Sequence, residues 1–115
     1  MSRFHDWQRP VIDDDGWTIY GWRCQYPEGL KLGHGVDIGC FSYMNARHGI
    51  EIGEDVQIGS HCSIYSDNTE NKTRGKVIIG KGALIGAHCI ILPGTTIRPH
   101  AKIRAQSILN GGIYG

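Results

Sequence analysis

The chain has 115 residues, and its 12 Lys and Arg residues against 11 Asp and Glu residues give a formal net charge of +1. This length accommodates one domain, and the balanced charge excludes the strongly basic surface that is typical of nucleic-acid-binding proteins. No apolar run is long enough to span a membrane, and residues 1–10 lack the apolar core of a signal peptide. We therefore expect a cytoplasmic protein with neither a nucleic-acid nor a membrane partner.

Residues 1–31 lack the periodicity of the rest of the chain, and we predict that they form an arm that caps the domain of residues 32–115. The segment Asp13–Gly16 predicts a turn, and the alternation over Trp17–Trp22 predicts one strand. The candidates for covering the open end of the first coil are Trp17, Trp22 and Tyr26.

From Leu32 onward, eleven aliphatic residues occur in one six-residue register, and the whole chain contains 17 glycines. A period of six predicts a short strand and a tight turn for each unit, with three units in each triangular coil and coils stacked at ~4.8 Å. Each coil needs a neighbour for its backbone hydrogen bonds. We therefore predict an all-β parallel β-helix, with small inward residues at the fifth place of the units: Ala83, Cys89, Thr95, Ala101 and Ser107.

The register assigns the units to three sides of a prism. Units that begin at positions 44, 64, 91 and 109 share the first side, those at 32, 52, 79 and 97 the second, and those at 38, 58, 85 and 103 the third. On the third side, Cys62 and Cys89 are predicted to stack in the interior as small buried residues, with a redox pair as the alternative. His61 and His88 are predicted to stack on the outer corner, exposed or at an interface. A metal site on this histidine ladder is an alternative that we do not adopt.

Two insertions interrupt the repeat on the same edge of the prism and in adjacent coils. The step from Met44 to Ile52 is eight residues, and the step from Ile64 to Ile79 is fifteen, which predicts a protruding loop at residues 66–76. Stacked departures from a regular repeat indicate where a functional site could be built. Counting in register predicts the neighbours Asn45 with Tyr65, Arg47 with Asp67, and His48 with Asn68.

The repeats resemble the hexapeptide acyltransferases of the maltose/galactoside and sugar O-acetyltransferase group, over roughly residues 29–113. Residues 49–59 resemble that family's entry to its central coils, and residues 77–97 resemble the segment that follows its loop. The resemblance implies a left-handed β-helix, a homotrimer, and acetyl-CoA as co-substrate along a prism edge. The matching cofactor-binding positions here are Gly86, Ala87, Ala105 and Ser107.

In that family the general base is a loop histidine, whereas Thr69 stands at the corresponding place here. The resemblance therefore implies transfer to a sugar or amino-sugar acceptor with a relocated base, for which His48 and Asp67 are the nearby catalytic candidates. The acceptor would be bound by Asn45, Arg47 and Asn68. Two further departures are Gln106, where the family tends to carry glycine, and a chain end at Gly115 that is typical of a truncated member.

Two other functions stay open from the sequence. A trimeric β-helix without catalysis would serve as a scaffold or binding module, since repeat solenoids offer flat faces. The γ-class carbonic anhydrases share this fold, so a metal-dependent hydratase is the third possibility, although their two histidines five residues apart have no counterpart here. Affinity for CoA separates the acyltransferase from the scaffold, and bound zinc separates the hydratase from both.

Overall fold

The computed structural model describes residues 6–115, and the strands of this part of the chain are short and nearly all parallel. A 3-10 turn covers Pro27–Gly29. In chain order the strands are β1 Arg23–Gln25, β2 Leu30–Leu32, β3 Asp37–Ile38, β4 Tyr43–Asn45, β5 Ile50–Ile52, β6 Gln57–Ile58, β7 Ser63–Tyr65, β8 Asp67–Asn68, β9 Thr73–Arg74, β10 Val77–Ile79, β11 Leu84–Ile85, β12 Ile90–Ile97, β13 Lys102–Ile103 and β14 Ile108–Tyr114.

The strands stack into the three predicted sides. The first side has the order β1-β4-β7-β12-β14, the second β2-β5-β10-β12-β14, and the third β3-β6-β11-β13. Strands β12 and β14 belong to two sides because each turns a corner, where their pairing shifts register between Leu92 and Thr95. The pairs Met44–Ile64, Ile52–Ile79 and Ile58–Ile85 confirm the predicted register. The result is a β-solenoid of about five turns, consistent with a left-handed β-helix.

The fifth-place side chains on the third side connect consecutive coils inside the core. Ser42 Oγ donates to the Gly59 carbonyl at 3.0 Å, Cys62 Sγ to the Gly86 carbonyl at 3.2 Å, and Cys89 Sγ to the Arg104 carbonyl at 3.1 Å. Cys62 and Cys89 are fully buried and free, which confirms their interior position. Burial raises the pKa of the Cys62 thiol above its ordinary value. A small side chain that can donate a hydrogen bond therefore suits the fifth place of the units on the third side.

The corner between the third and first sides repeats one backbone conformation in four coils. Its fourth-place residues Phe41, His61, His88 and Gln106 have φ values of 63°, 57°, 58° and 64°. Each amide donates to a carbonyl at 2.7–3.1 Å, as from Gln106 N to Ala87 O at 3.0 Å. Glycine adopts this left-handed conformation without steric cost, which explains why a glycine would suit the place that Gln106 occupies here.

The arm lies against the first coil. Trp7 Nε1 donates to the Val36 carbonyl at 2.9 Å, and the Arg9 guanidinium donates to the Leu32 carbonyl. Trp22 is 1% exposed and closes the end of the core, whereas Trp17 and Tyr26 remain largely exposed. The arm residues that contact the first coil or bury themselves at its end are therefore Trp7, Arg9 and Trp22.

The predicted strand over Trp17–Trp22 is wrong. The segment contains a turn closed by the bond from Gly21 N to Thr18 O, and its only bridge pairs Trp17 with Arg23 in antiparallel fashion. The alternation arises instead because Thr18 and Trp22 point into the end of the solenoid. Parallel stacking already includes β1, upstream of residue 32, and β2, which begins at Leu30. Within residues 6–115, no helix is long and apolar enough to cross a membrane.

Candidate functional site

The two insertions meet at one corner of the prism, which we call the loop corner and define as residues 45–49 and 66–76. Strand β4 pairs with β7, so Asn45 lies beside Tyr65 as predicted. The widened unit turns back after β4, where Asn45 Oδ1 accepts the Arg47 amide at 3.1 Å and Gly49 N donates to Ala46 O at 3.0 Å. This turn places Arg47 and His48 against the first residues of the loop.

The loop itself is a short hairpin. Strands β8 and β9 pair in antiparallel fashion, with Asp67 opposite Arg74 and Asn68 opposite Thr73. At its base, Gly75 N donates to Ser66 O at 3.0 Å. The hairpin therefore holds Asp67 at a fixed place directly above the widened unit.

Asp67 is the centre of the charged groups at the loop corner. Its Oδ2 lies 3.5 Å from Arg47 Nη1 and 3.8 Å from His48 Nε2, and its side chain is only 7% exposed. The Arg47 guanidinium also lies over the ring of Tyr26, 5.6 Å from the centroid. One buried carboxylate is thus shared by two basic side chains, and this confirms the predicted proximity of Arg47 to Asp67.

His48 presents two different nitrogens. Nε2 is buried, faces Asp67 and has no hydrogen-bond partner, while the side chain as a whole is 30% exposed. A separation of 3.8 Å is too long for a hydrogen bond, although such contacts often shorten when a substrate binds. A carboxylate beside Nε2 favours the tautomer with its proton on Nε2, which leaves Nδ1 to accept a proton. The pair has the composition of a general base with an orienting acid.

Asn68 occupies the hairpin and uses its side chain locally, since Oδ1 accepts the Glu70 amide at 3.3 Å. Thr69, at the place of the absent loop histidine, is exposed. The loop residues that contact His48 are Ser66 and Asp67. The predicted neighbour of His48 is therefore displaced by one or two positions along the loop, because the hairpin begins immediately after Ser66.

The predicted cofactor residues lie at a different corner, which we call the alanine corner and define as residues 59–62, 86–89 and 104–107. Consecutive coils approach closely there: a Cβ atom on Gly86 would stand 2.5 Å from the Ala105 nitrogen. Ala87 is half-buried, Ala105 is exposed, and Ser107 Oγ donates to Arg104 O at 2.6 Å. The side chains of Gly86, Ala87, Ala105 and Ser107 are themselves small.

The alanine corner also carries the predicted histidine stack. The rings of His61 and His88 lie parallel, with centroids 4.7 Å apart and planes inclined by 6°, and Phe41 packs on His61 at 5.1 Å. The predicted stacking is confirmed. In the described part of the chain, no group of three or more His, Cys, Asp or Glu side chains could hold a metal ion.

The two groups of predicted site residues are therefore not brought together within one chain. The loop corner follows β4 and β7, whereas the alanine corner precedes β7 and β12, so the first side separates them.

Sequence reasoning missed two contributors to the loop corner. Ser66 is fully buried and accepts the His48 amide through Oγ at 2.9 Å, and Tyr26 contacts Arg47 from the arm. Ser66 lies one residue beyond the last regular strand before the long insertion, and this position was the available signal. No signal indicated Tyr26, because the arm lies outside the repeat.

Comparison with known proteins gives one family. The family model described as "Bacterial transferase hexapeptide (six repeats)" matches residues 76–111. The search of curated proteins and the search of solved structures each returned no match. The matched segment runs from β10 into β14. The match over residues 76–111 and the parallel β-solenoid fit the hexapeptide-repeat transferase superfamily.

Proposed function

We propose that the chain is a CoA-dependent acyltransferase that transfers an acetyl group to a sugar or amino-sugar acceptor, with His48 as general base and Asp67 as its orienting partner. The superfamily supports acyl transfer in general. The observation that carries the proposal is the buried Nε2 of His48, which faces the buried carboxylate of Asp67 at 3.8 Å. An imperfectly paired polar group is costly to bury and is expected mainly where function requires it.

In this proposal His48 Nδ1 accepts the proton of the acceptor hydroxyl or amine as the acceptor attacks the acetyl carbonyl. Acetyl-CoA would supply the activated thioester; when its C–S bond breaks, the CoA thiolate would leave and take up the proton from the His48 imidazolium. Asp67 stabilises the imidazolium that forms. Arg47 and Asn45 lie at the same corner and would position the acceptor, with Asn68 further out on the hairpin. An amino-sugar acceptor demands least from the base because a free amine is already nucleophilic.

The alanine corner is the proposed place for the pantetheine arm of acetyl-CoA. Gly86 and Ala87 in one coil and Ala105 and Ser107 in the next would contact it, and their small side chains fit an extended, narrow group. The exposed His61 and His88 at this corner stack on each other and, among the described residues, form no ion pair of the kind that His48 forms with Asp67. We therefore propose the corner as a binding surface rather than as a second catalytic centre.

A homotrimer would unite the two corners, since the loop corner of one copy must meet the alanine corner of another. The first side between these corners carries the apolar side chains of Ile90 and Ile108, which are 38% and 65% exposed. Exposed apolar side chains that adjoin each other favour burial in an interface. We therefore propose the homotrimer as the active form.

The scaffold without catalysis is the competing function, and acetyl-CoA distinguishes the two. Calorimetric titration of the protein with acetyl-CoA, followed by transfer assays on a panel of amino and hydroxyl sugars, is the direct test. We expect saturable binding and acetyl transfer to at least one sugar class. A trimer that shows neither binding nor transfer would support the scaffold and overturn the acyltransferase.

A further inference from the structure

We infer that Ser66 is a positioning residue, whose hydroxyl fixes His48 in the orientation in which the imidazole meets Asp67. This inference rests on the proposed function, because the orientation matters for transfer only if His48 is the base. The contacts themselves do not depend on that function.

Ser66 is fully buried and connects both insertions through one hydroxyl group. Its Oγ accepts the backbone N–H of His48 at 2.9 Å and donates to the carbonyl of Asn45 at 2.7 Å. Its own N–H also donates to the Asn45 carbonyl, at 2.9 Å. The widened unit is therefore attached to the loop at two points, the first before the turn and the second at His48.

The regular ladder supplies no partner for the His48 amide. In an uninterrupted coil, the amides on either side of a corner pair with the next coil, as Gly53 N does with Ile79 O at 2.8 Å. The two extra residues of the widened unit shift His48 out of that pattern, and a buried unpaired amide would be costly. Ser66 replaces the missing ladder bond at the position where the long insertion begins.

The same bond fixes the catalytic geometry. Ser66 precedes Asp67 directly, so the hydroxyl that fixes the His48 backbone belongs to the residue adjacent to the orienting carboxylate. Without the hydroxyl, the turn between Asn45 and Gly49 is free to relax, and the separation between His48 Nε2 and Asp67 Oδ2 is no longer determined. A displacement of about 1 Å in a catalytic group can reduce the rate by roughly 10²-fold.

Ser42 offers a matched control because it makes the same pair of bonds away from the loop corner. Its Oγ accepts the Cys62 amide at 3.1 Å and donates to the Gly59 carbonyl at 3.0 Å, and the residue is buried. Ser42→Ala and Ser66→Ala thus remove equivalent bonds from equivalent depths. They differ in the amide that is released, Cys62 or His48, and in the carbonyl that loses its donor, Gly59 or Asn45.

The experiment compares the two variants in the full chain by amide hydrogen exchange and by transfer kinetics. Ser66→Ala is expected to accelerate exchange of the His48 amide at least about 10-fold and to lower kcat roughly 10–100-fold with KM for acetyl-CoA unchanged. Ser42→Ala should accelerate exchange of the Cys62 amide instead, and it should leave kcat at saturating acetyl-CoA within about 2-fold because Ser42 does not contact the loop corner. Ser66→Thr retains the hydroxyl and should restore most of kcat.

A double variant shows whether Ser66 acts through His48. In a His48→Asn background, Ser66→Ala should lower kcat by no more than about 2-fold, because the group that it positions is already absent. Equal losses in both backgrounds, or an unchanged His48 exchange rate in Ser66→Ala, would overturn the inference. If Ser66→Ala does not fold, Ser66→Cys serves in its place, because its thiol bonds weakly. Lack of transfer by the wild-type protein would refute the proposed function, whereas the exchange comparison would still decide the role of Ser66.

Discussion

His48 Nε2 and Asp67 Oδ2 lie 3.8 Å apart, although the residues belong to consecutive coils and to two separate insertions. Neither insertion alone would produce this contact. The two extra residues after β4 turn His48 toward the next coil, and the hairpin of β8 and β9 holds Asp67 above it. The contact therefore depends on the regular coils beneath it, which keep the two departures in vertical register.

Asp67→Asn tests the orienting role of the carboxylate. The amide retains the size of the side chain but removes its charge and can present a donor to Nε2, which favours the wrong histidine tautomer. We expect kcat to fall by at least ~10²-fold, by analogy with the loss of an orienting Asp beside a catalytic His. The measurement is steady-state acetyl transfer, with Glu70→Gln, an exposed loop carboxylate, as control. Similar rates for both variants would show that Asp67 has no such role.

The register is tested by two neighbouring residues of β11. Ile85 points into the core and Leu84 points outward, with exposed fractions of 4% and 38%. Ile85→Asp buries an unpaired carboxylate, which costs several kcal/mol and is comparable to the whole stability of a small domain. We expect circular dichroism to show Ile85→Asp unfolded and Leu84→Asp folded. A folded Ile85→Asp protein would contradict the assigned register.

This register is also the part of the structure that the sequence predicted best. The sides follow from the period of six because one aliphatic residue per unit must face a narrow interior, as Ile58 and Ile85 do. The loop corner was predictable as a place, since insertions leave the coil only where backbone pairing can be interrupted. The bond from His48 to Ser66 was not predictable, because its geometry depends on how the eight-residue step folds.

Ala105→Trp tests the proposed place of the co-substrate. Ala105 is exposed at the alanine corner and faces the neighbouring coil at Gly86, so an indole there would cover the small side chains of this corner. We expect calorimetry to show the loss of acetyl-CoA binding, and light scattering to show an unchanged trimer. Lys81→Trp, at an exposed corner between the second and third sides, should bind normally. Unchanged affinity of Ala105→Trp for acetyl-CoA would show that the co-substrate binds at another surface.

Alkaline stability is expected to depend on Cys24. Burial, with a smaller contribution from the charge of Glu28, raises the pKa of the Cys24 thiol from 9.0 to about 12. Because the folded pKa is the higher one, the neutral thiol contributes its full stability below pH 9.0, and this contribution is lost as the pH rises toward 12. The thermal unfolding midpoint of the wild-type protein should therefore decrease as the pH is raised above 9.0.

Two serine variants measure this contribution. Cys24→Ser removes the buried thiol and should reduce the alkaline decline of the unfolding midpoint, whereas Cys40→Ser removes an exposed thiol and should not. A smaller alkaline decline of the unfolding midpoint should remain in both variants, because burial also raises the pKa values of Cys62 and Tyr43. The same decline in Cys24→Ser as in the wild type would show that another group is responsible.

The base assignment is tested most directly by His48→Asn, assayed for acetyl transfer to amino and hydroxyl sugars from pH 6 to pH 9. His100→Asn is the matched control, since His100 is exposed and has φ 62°, a conformation that asparagine tolerates. If His48 is the base, His48→Asn should lose roughly 10²–10⁴-fold in kcat and the acidic limb of its pH profile, and His100→Asn should retain both. Wild-type turnover and an unchanged pH profile in His48→Asn would contradict the proposal that His48 is the base.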